Sequence, residues 1–116
     1  MARLTQVNLH TLATRAFAMA VVAAVTACAG TLPPPTAADV KSASTRWPGT
    51  SIEQLQSGRR AYLAQCGKCH SLKSENAVPK EAWEETVNRM RTKDGAKLTD
   101  EEVAGIARYL YAMASR

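Results

Sequence analysis

The chain has 116 residues, 46% of them apolar and only 5% aromatic, and its 15 Lys and Arg against 10 Asp and Glu give a formal charge of +5. One small folded domain fits that length, which excludes a large multidomain enzyme. A single stretch is apolar enough to engage a bilayer, which excludes a polytopic membrane protein. A domain this small ordinarily needs a disulfide, a metal or a cofactor to complete its interior.

Residues 1–15 carry Arg3 and Arg15 and no acid, and residues 16–27 are uncharged and rich in Ala and Val. A basic segment followed by about a dozen apolar residues is the layout of an export signal. The stretch is short of the roughly 20 residues a spanning helix needs, and it lacks the polar stripe of an amphipathic core helix. It ends Val25-Thr26-Ala27-Cys28, which resembles the lipobox of bacterial lipoproteins. The resemblance implies that residues 1–27 are a lipoprotein signal peptide and that Cys28 is lipidated and begins the mature chain. Two or more acyl chains anchor a protein stably. The alternative is an ordinary signal cut near Ala27 with a spare cysteine. The implied address is the periplasmic side of a bacterial membrane. Ala29 stands where the aspartate of an inner-membrane retention signal would be, which leans towards the outer membrane.

Residues 28–50 read as the lipidated N-terminus and a flexible tether. Pro33-Pro34-Pro35 favours extended polyproline conformation, and the Ser, Thr and Ala that follow offer little core. Trp47-Pro48 either packs on the domain or marks its edge.

Residues 51–116 read as the folded, all-α domain. Ser51 with Gln54 forms a capping box that opens a helix over 51–66, with Leu55, Tyr62 and Leu63 on one face and Gly58 interrupting it. A second helix is expected over 79–92, with Pro79 at its start and Trp83, Val87 and Met90 on one face, stopped by Asp94-Gly95. The last begins at Thr99, capped by Glu102, and carries the stripe Val103, Ile106, Leu110 and Met113. Three short helices with so little apolar mass leave the middle underfilled.

Cys66-Gly67-Lys68-Cys69-His70 supplies a filling. The C-x-x-C-H spacing reads as attachment of one covalent haem c: both thiols reach one edge of the tetrapyrrole, and the adjacent imidazole reaches the iron. A thioredoxin-like thiol pair needs a preceding strand, and here a helix precedes. Zinc needs four ligands, and no second Cys or His pair follows. A Cys66–Cys69 disulfide would leave His70 without a role.

Gly58 and Tyr62 ahead of the motif, a methionine in the middle segment, and Leu98-Thr99-Asp100-Glu101-Glu102-Val103 through Ala107-Arg108-Tyr109-Leu110 together resemble the class I c-type cytochromes over residues 52–113. The resemblance implies a small three-helix cytochrome c-like fold around a single haem. It implies a close crossing of the first and last helices, with Gly58 against Tyr109. The family's usual glycine-proline after the haem motif is missing. Val78-Pro79 is the nearest equivalent, and the Pro79 carbonyl is the expected acceptor for the second ring proton of His70.

Removal of residues 1–27 takes His10 and leaves His70 as the only histidine, so bis-histidine ligation within one chain is excluded. Met90 and Met113 are the thioether donors left. Met113 fits the stripe of the last helix, whereas Met90 lies in the segment expected to close over the open haem face. Met90 is therefore the favoured sixth ligand. Deprotonated Lys73, Lys80, Lys93 or Lys97, or a vacant position, are the alternatives. His–Met ligation raises the haem potential and favours electron transfer.

Beyond Cys28 thirteen basic residues face ten acidic ones. Lys68, Lys73, Lys80, Arg89, Arg91, Lys93 and Lys97 form an expected basic rim that would steer an acidic redox partner. Arg89 or Arg91 pairing with a haem propionate is the alternative. The reading is of a periplasmic, membrane-tethered electron carrier with a redox donor and acceptor, not an enzyme, with no small-molecule substrate and no nucleic acid. The alternatives are a haem sensor with an open sixth position and a non-haem thiol redox protein.

Overall fold

The computed structural model describes residues 32–116. The expected signal peptide and the expected lipidation site, Cys28, lie outside the described residues. Four α-helices follow in order: α1 (Ala37–Ser44), α2 (Ile52–Gln65), α3 (Trp83–Thr92) and α4 (Asp100–Met113). Short 3₁₀ turns span Cys66–Lys68 and Lys80–Ala82, and the described residues contain no strand. No described helix is long and apolar enough to cross a membrane.

Helix α4 is the centre of the domain, packing on α1, α2 and α3. Its stripe explains this. Ile106, Tyr109 and Leu110 are essentially inaccessible, and Val103 and Met113 join them in a core completed by Leu55, Tyr62, Trp83 and Val87. Both expected capping boxes form. Ser51 Oγ accepts from the Gln54 amide while Gln54 Oε1 accepts from the Ser51 amide. Thr99 and Glu102 exchange the equivalent pair at 3.1 and 2.9 Å. Asp100, Glu101 and Glu102 place negative charge at the positive end of α4.

Residues 32–50 are not a loose tether: they form α1 and a strap laid on the domain. Thr36 and Asp39 build a third capping box, and Ala43 is fully buried. Asp39 is 2% exposed and receives two hydrogen bonds from Arg116, at 2.8 and 3.0 Å. Trp47 sets its ring edge-on to Tyr111, with centroids 5.2 Å apart. Small residues and one half-buried ion pair do here what a broad apolar face does elsewhere.

The second helix starts later than expected. Residues 80–82 form a 3₁₀ turn, and α-helix runs from Trp83, whose amide lies beyond the turn closed by the Pro79 carbonyl and the Ala82 amide. Gly95, at φ +77°, turns the chain after α3.

Helices α2 and α4 do cross at close range, but the partner of Gly58 is Gly105 rather than Tyr109. A Cβ on Gly58 would fall 2.0 Å from the Gly105 carbonyl oxygen. Two facing glycines bring the backbones together. Tyr109, one turn further on, packs its ring against Tyr62 at 6.2 Å and donates its hydroxyl to the Pro33 carbonyl at 2.8 Å.

Candidate functional site

Helix α2 delivers the motif. Its last turn passes into the 3₁₀ turn at Cys66, so Cys66 is half-buried while Cys69 and His70 are exposed just beyond it. Both thiols are free. Burial pushes the Cys66 thiol pKa above its ordinary value.

A cleft of about 160 Å³ opens beside the motif, lined by Gln65, Cys66, Cys69, His70, Val87, Met90, Asp94, Ala96 and Leu98. Cys66, Cys69, His70 and Met90 therefore share one cavity, although Met90 lies 20 residues beyond His70. The apolar stripe of α3 accounts for this, because burying Val87 against the core turns the next helical position of that face, Met90, towards the cleft. Met113 is 3% exposed and belongs to the core cluster. None of Lys73, Lys80, Lys93 and Lys97 lines the cleft. Lys80 points elsewhere: its Nζ is 3.4 Å from Ser115 Oγ and lies over the Tyr111 ring.

The ring of His70 is oriented by Ser71, not Pro79. His70 Nδ1 is 2.8 Å from the Ser71 carbonyl oxygen. A carbonyl only accepts, so Nδ1 carries the proton and Nε2 keeps its lone pair for a metal. The Pro79 carbonyl is taken by the Ala82 amide.

The loop between His70 and α3 is held by two buried aromatic residues. The Tyr62 hydroxyl donates to the Lys73 carbonyl, and Trp83 Nε1 donates to the Glu75 carbonyl at 2.8 Å. Tyr62 appeared in the sequence only as a core residue and a family match, and Trp83 only as part of a stripe. Their polar ends, and Ala96 and Leu98 on the far wall, carry no signal in the local sequence. The rim is also less uniformly basic than expected. Arg91 pairs with Asp100 and Asn88, Lys68 bonds Gln65, and Asp94 stands on the cleft wall.

Two thiols, an imidazole with its metal-binding nitrogen free, and a thioether around an apolar cleft are the donor chemistry of one covalent haem. The residues fit the group. A tetrapyrrole is larger than the cleft, so it would also cover the exposed side of Cys69 and His70. Among the described residues no three His, Cys, Asp or Glu side chains converge as donors for a bare metal ion.

An all-helical fold closing on a Cys-x-x-Cys-His turn defines this protein as a c-type cytochrome domain that carries haem c. Residues 53–110 match the profile of a family described as cytochrome c oxidase, cbb3-type, subunit III, and the chain belongs to that family. Neither a curated protein nor a solved structure matches it. Its role is electron carriage through the haem.

Proposed function

We propose that this is a monohaem electron carrier held on the periplasmic side of a bacterial membrane by a lipidated Cys28. Cys66 and Cys69 form the thioether links, His70 is the proximal ligand and Met90 the distal one. The observation that carries this reading is the gathering of all four side chains on one cleft while Met113 is buried elsewhere. Bound haem supplies one-electron redox chemistry at a potential raised by a His–Met pair. The chain's own residues do the rest. The Ser71 carbonyl fixes the His70 tautomer, and Val87, Ala96 and Leu98 give the cleft beside Met90 an apolar wall. The family's designation as an oxidase subunit supports a donor and acceptor within a membrane-bound respiratory chain. Lys73, Arg89, Lys93 and Lys97 are exposed basic side chains that would favour an acidic partner.

The test is mass spectrometry and absorption of the full chain from a cytochrome-maturing host. One haem on the Cys66–Cys69 peptide and acyl chains on Cys28 are the expected masses. The weak far-red charge-transfer band of thioether-ligated ferric haem is the expected spectrum. Rapid CO binding by the reduced protein would replace the carrier with a sensor having an open sixth position. A chain carrying no tetrapyrrole would leave a thiol redox protein.

A further inference from the structure

The strap ahead of α1 is fastened at its first residues. The Leu32 carbonyl accepts from Arg59 Nε at 3.0 Å, the Pro33 carbonyl from the Tyr109 hydroxyl at 2.8 Å, and the Pro34 carbonyl from Arg116 Nη2 at 3.2 Å. Prolines have no amide hydrogen, so at Pro33 and Pro34 the carbonyl is the only backbone handle. Three successive carbonyls are each taken by a side chain from a different place: α2, α4 and the C-terminal residue. Leu32 packs against the core, Pro35 is buried, and the Asp39–Arg116 pair locks the next turn.

From this we propose that the folded domain is held on a leash of only three residues, Ala29 to Thr31, so that it rides against the membrane and exchanges electrons with partners in or on that same membrane. The inference rests on the reading of Cys28 as lipidated. Four Cα steps from Cys28 to Leu32 span at most about 14 Å, whereas a free chain as far as residue 50 would span about 75 Å. Arg59, which holds Leu32, lies on α2 seven residues before Cys66, the residue that follows the end of that helix, about 10 Å along its axis. The haem attachment turn is thereby kept within a few tens of ångströms of the lipid. The domain cannot swing out to a carrier diffusing deep in the periplasm. A partner must present its redox centre close to the membrane surface.

The experiment compares the lipidated holoprotein with a variant carrying a twenty-residue Gly/Ser segment inserted between Thr31 and Leu32. Both are reconstituted in phosphatidylcholine vesicles doped with a headgroup fluorophore whose emission the haem absorbs. The insertion adds about 25 Å of mean reach, so quenching by the native chain should be at least about twofold stronger. Covalent haem content and reduction by a soluble dye should be the same in both. Equal quenching overturns the short leash and leaves the cytochrome reading intact. Absence of acyl chains on Cys28 by mass spectrometry overturns the leash and the lipoprotein reading together, while haem on Cys66 and Cys69 remains a separate result.

Discussion

Asp39 and Arg116, 77 positions apart, form a two-point ion pair that ties α1 to the last residue of the chain, with Nη2–Oδ2 at 2.8 Å and Nε–Oδ1 at 3.0 Å. Burial pushes the Asp39 carboxyl up, but hydrogen bonds from Arg116 and Thr36 outweigh it and hold the pKa at about 2, below the ordinary 3.8. A folded-state pKa below the unfolded one stabilises the fold above the unfolded value, and that contribution is lost as pH falls through the folded value. Arg116 is 40% exposed, so solvent screening reduces the effect. Asp39→Asn is expected to cost about 1–2 kcal/mol near neutral pH. Denaturant titrations of the two proteins should converge as the pH is lowered from about 4 to about 2.

Gly58 and Gly105 set how closely α2 and α4 approach. Alanine at 58 places a methyl group 2.0 Å from the Gly105 carbonyl oxygen, and two backbones rather than a flexible side chain must give way. Gly58→Ala should lose about 2–3 kcal/mol, the upper range for overpacking. Gly95→Ala is the control: nothing lies within 4 Å of its Cβ, so only the positive φ is strained. That strain is worth about 1–2 kcal/mol. Thermal unfolding of the two holoproteins should rank them in that order.

Periodicity and capping made α2 and α4 legible, because Ser51/Gln54 and Thr99/Glu102 sit directly ahead of apolar stripes. The motif at Cys66 to His70 was legible because its chemistry is contiguous in sequence. Helix α1 was not. Its one local signal, Thr36 three residues before Asp39, is masked by three prolines, and the partners that fix it and the strap before it, Arg116 for the helix and Arg59 and Tyr109 for the strap, are remote. The Gly58–Gly105 contact failed for a related reason. The sequence marks which glycine permits a close approach, but not where on the facing helix the approach falls. The Ser71 acceptor was missed because backbone carbonyls carry no residue-type signature.

Substitution can tell the proposed distal ligand, Met90, from the core methionine, Met113. Met113 is almost wholly buried among core residues, so Met113→Ala should cost about 3 kcal/mol through the cavity it leaves. The far-red ferric band should survive. Met90 is only half-buried, on the cleft wall. Met90→Ala should cost less in denaturant stability, abolish that band, lower the reduction potential and open the reduced iron to CO. The opposite pattern, with the band lost in Met113→Ala alone, would move the distal ligand to α4.

Tyr62 and Trp83 clamp the loop that follows His70, and the clamp can be weakened without emptying the core. Phenylalanine at 62 removes only the hydroxyl that donates to the Lys73 carbonyl. Burial raises the Tyr62 pKa to about 12, so the hydroxyl keeps its proton, and the donor role persists, across the physiological range. Trp83→Phe removes the donor to Glu75 along with part of the packing. One such bond contributes roughly 1 kcal/mol, or about fivefold in a local opening equilibrium. Amide exchange over residues 71–78 should therefore quicken by about that factor in Tyr62→Phe. Exchange in α4 should change less, since its bonds open only with the whole domain. Uniform acceleration throughout the protein would mean that Tyr62 supports the core as a whole and that the loop has no separate clamp.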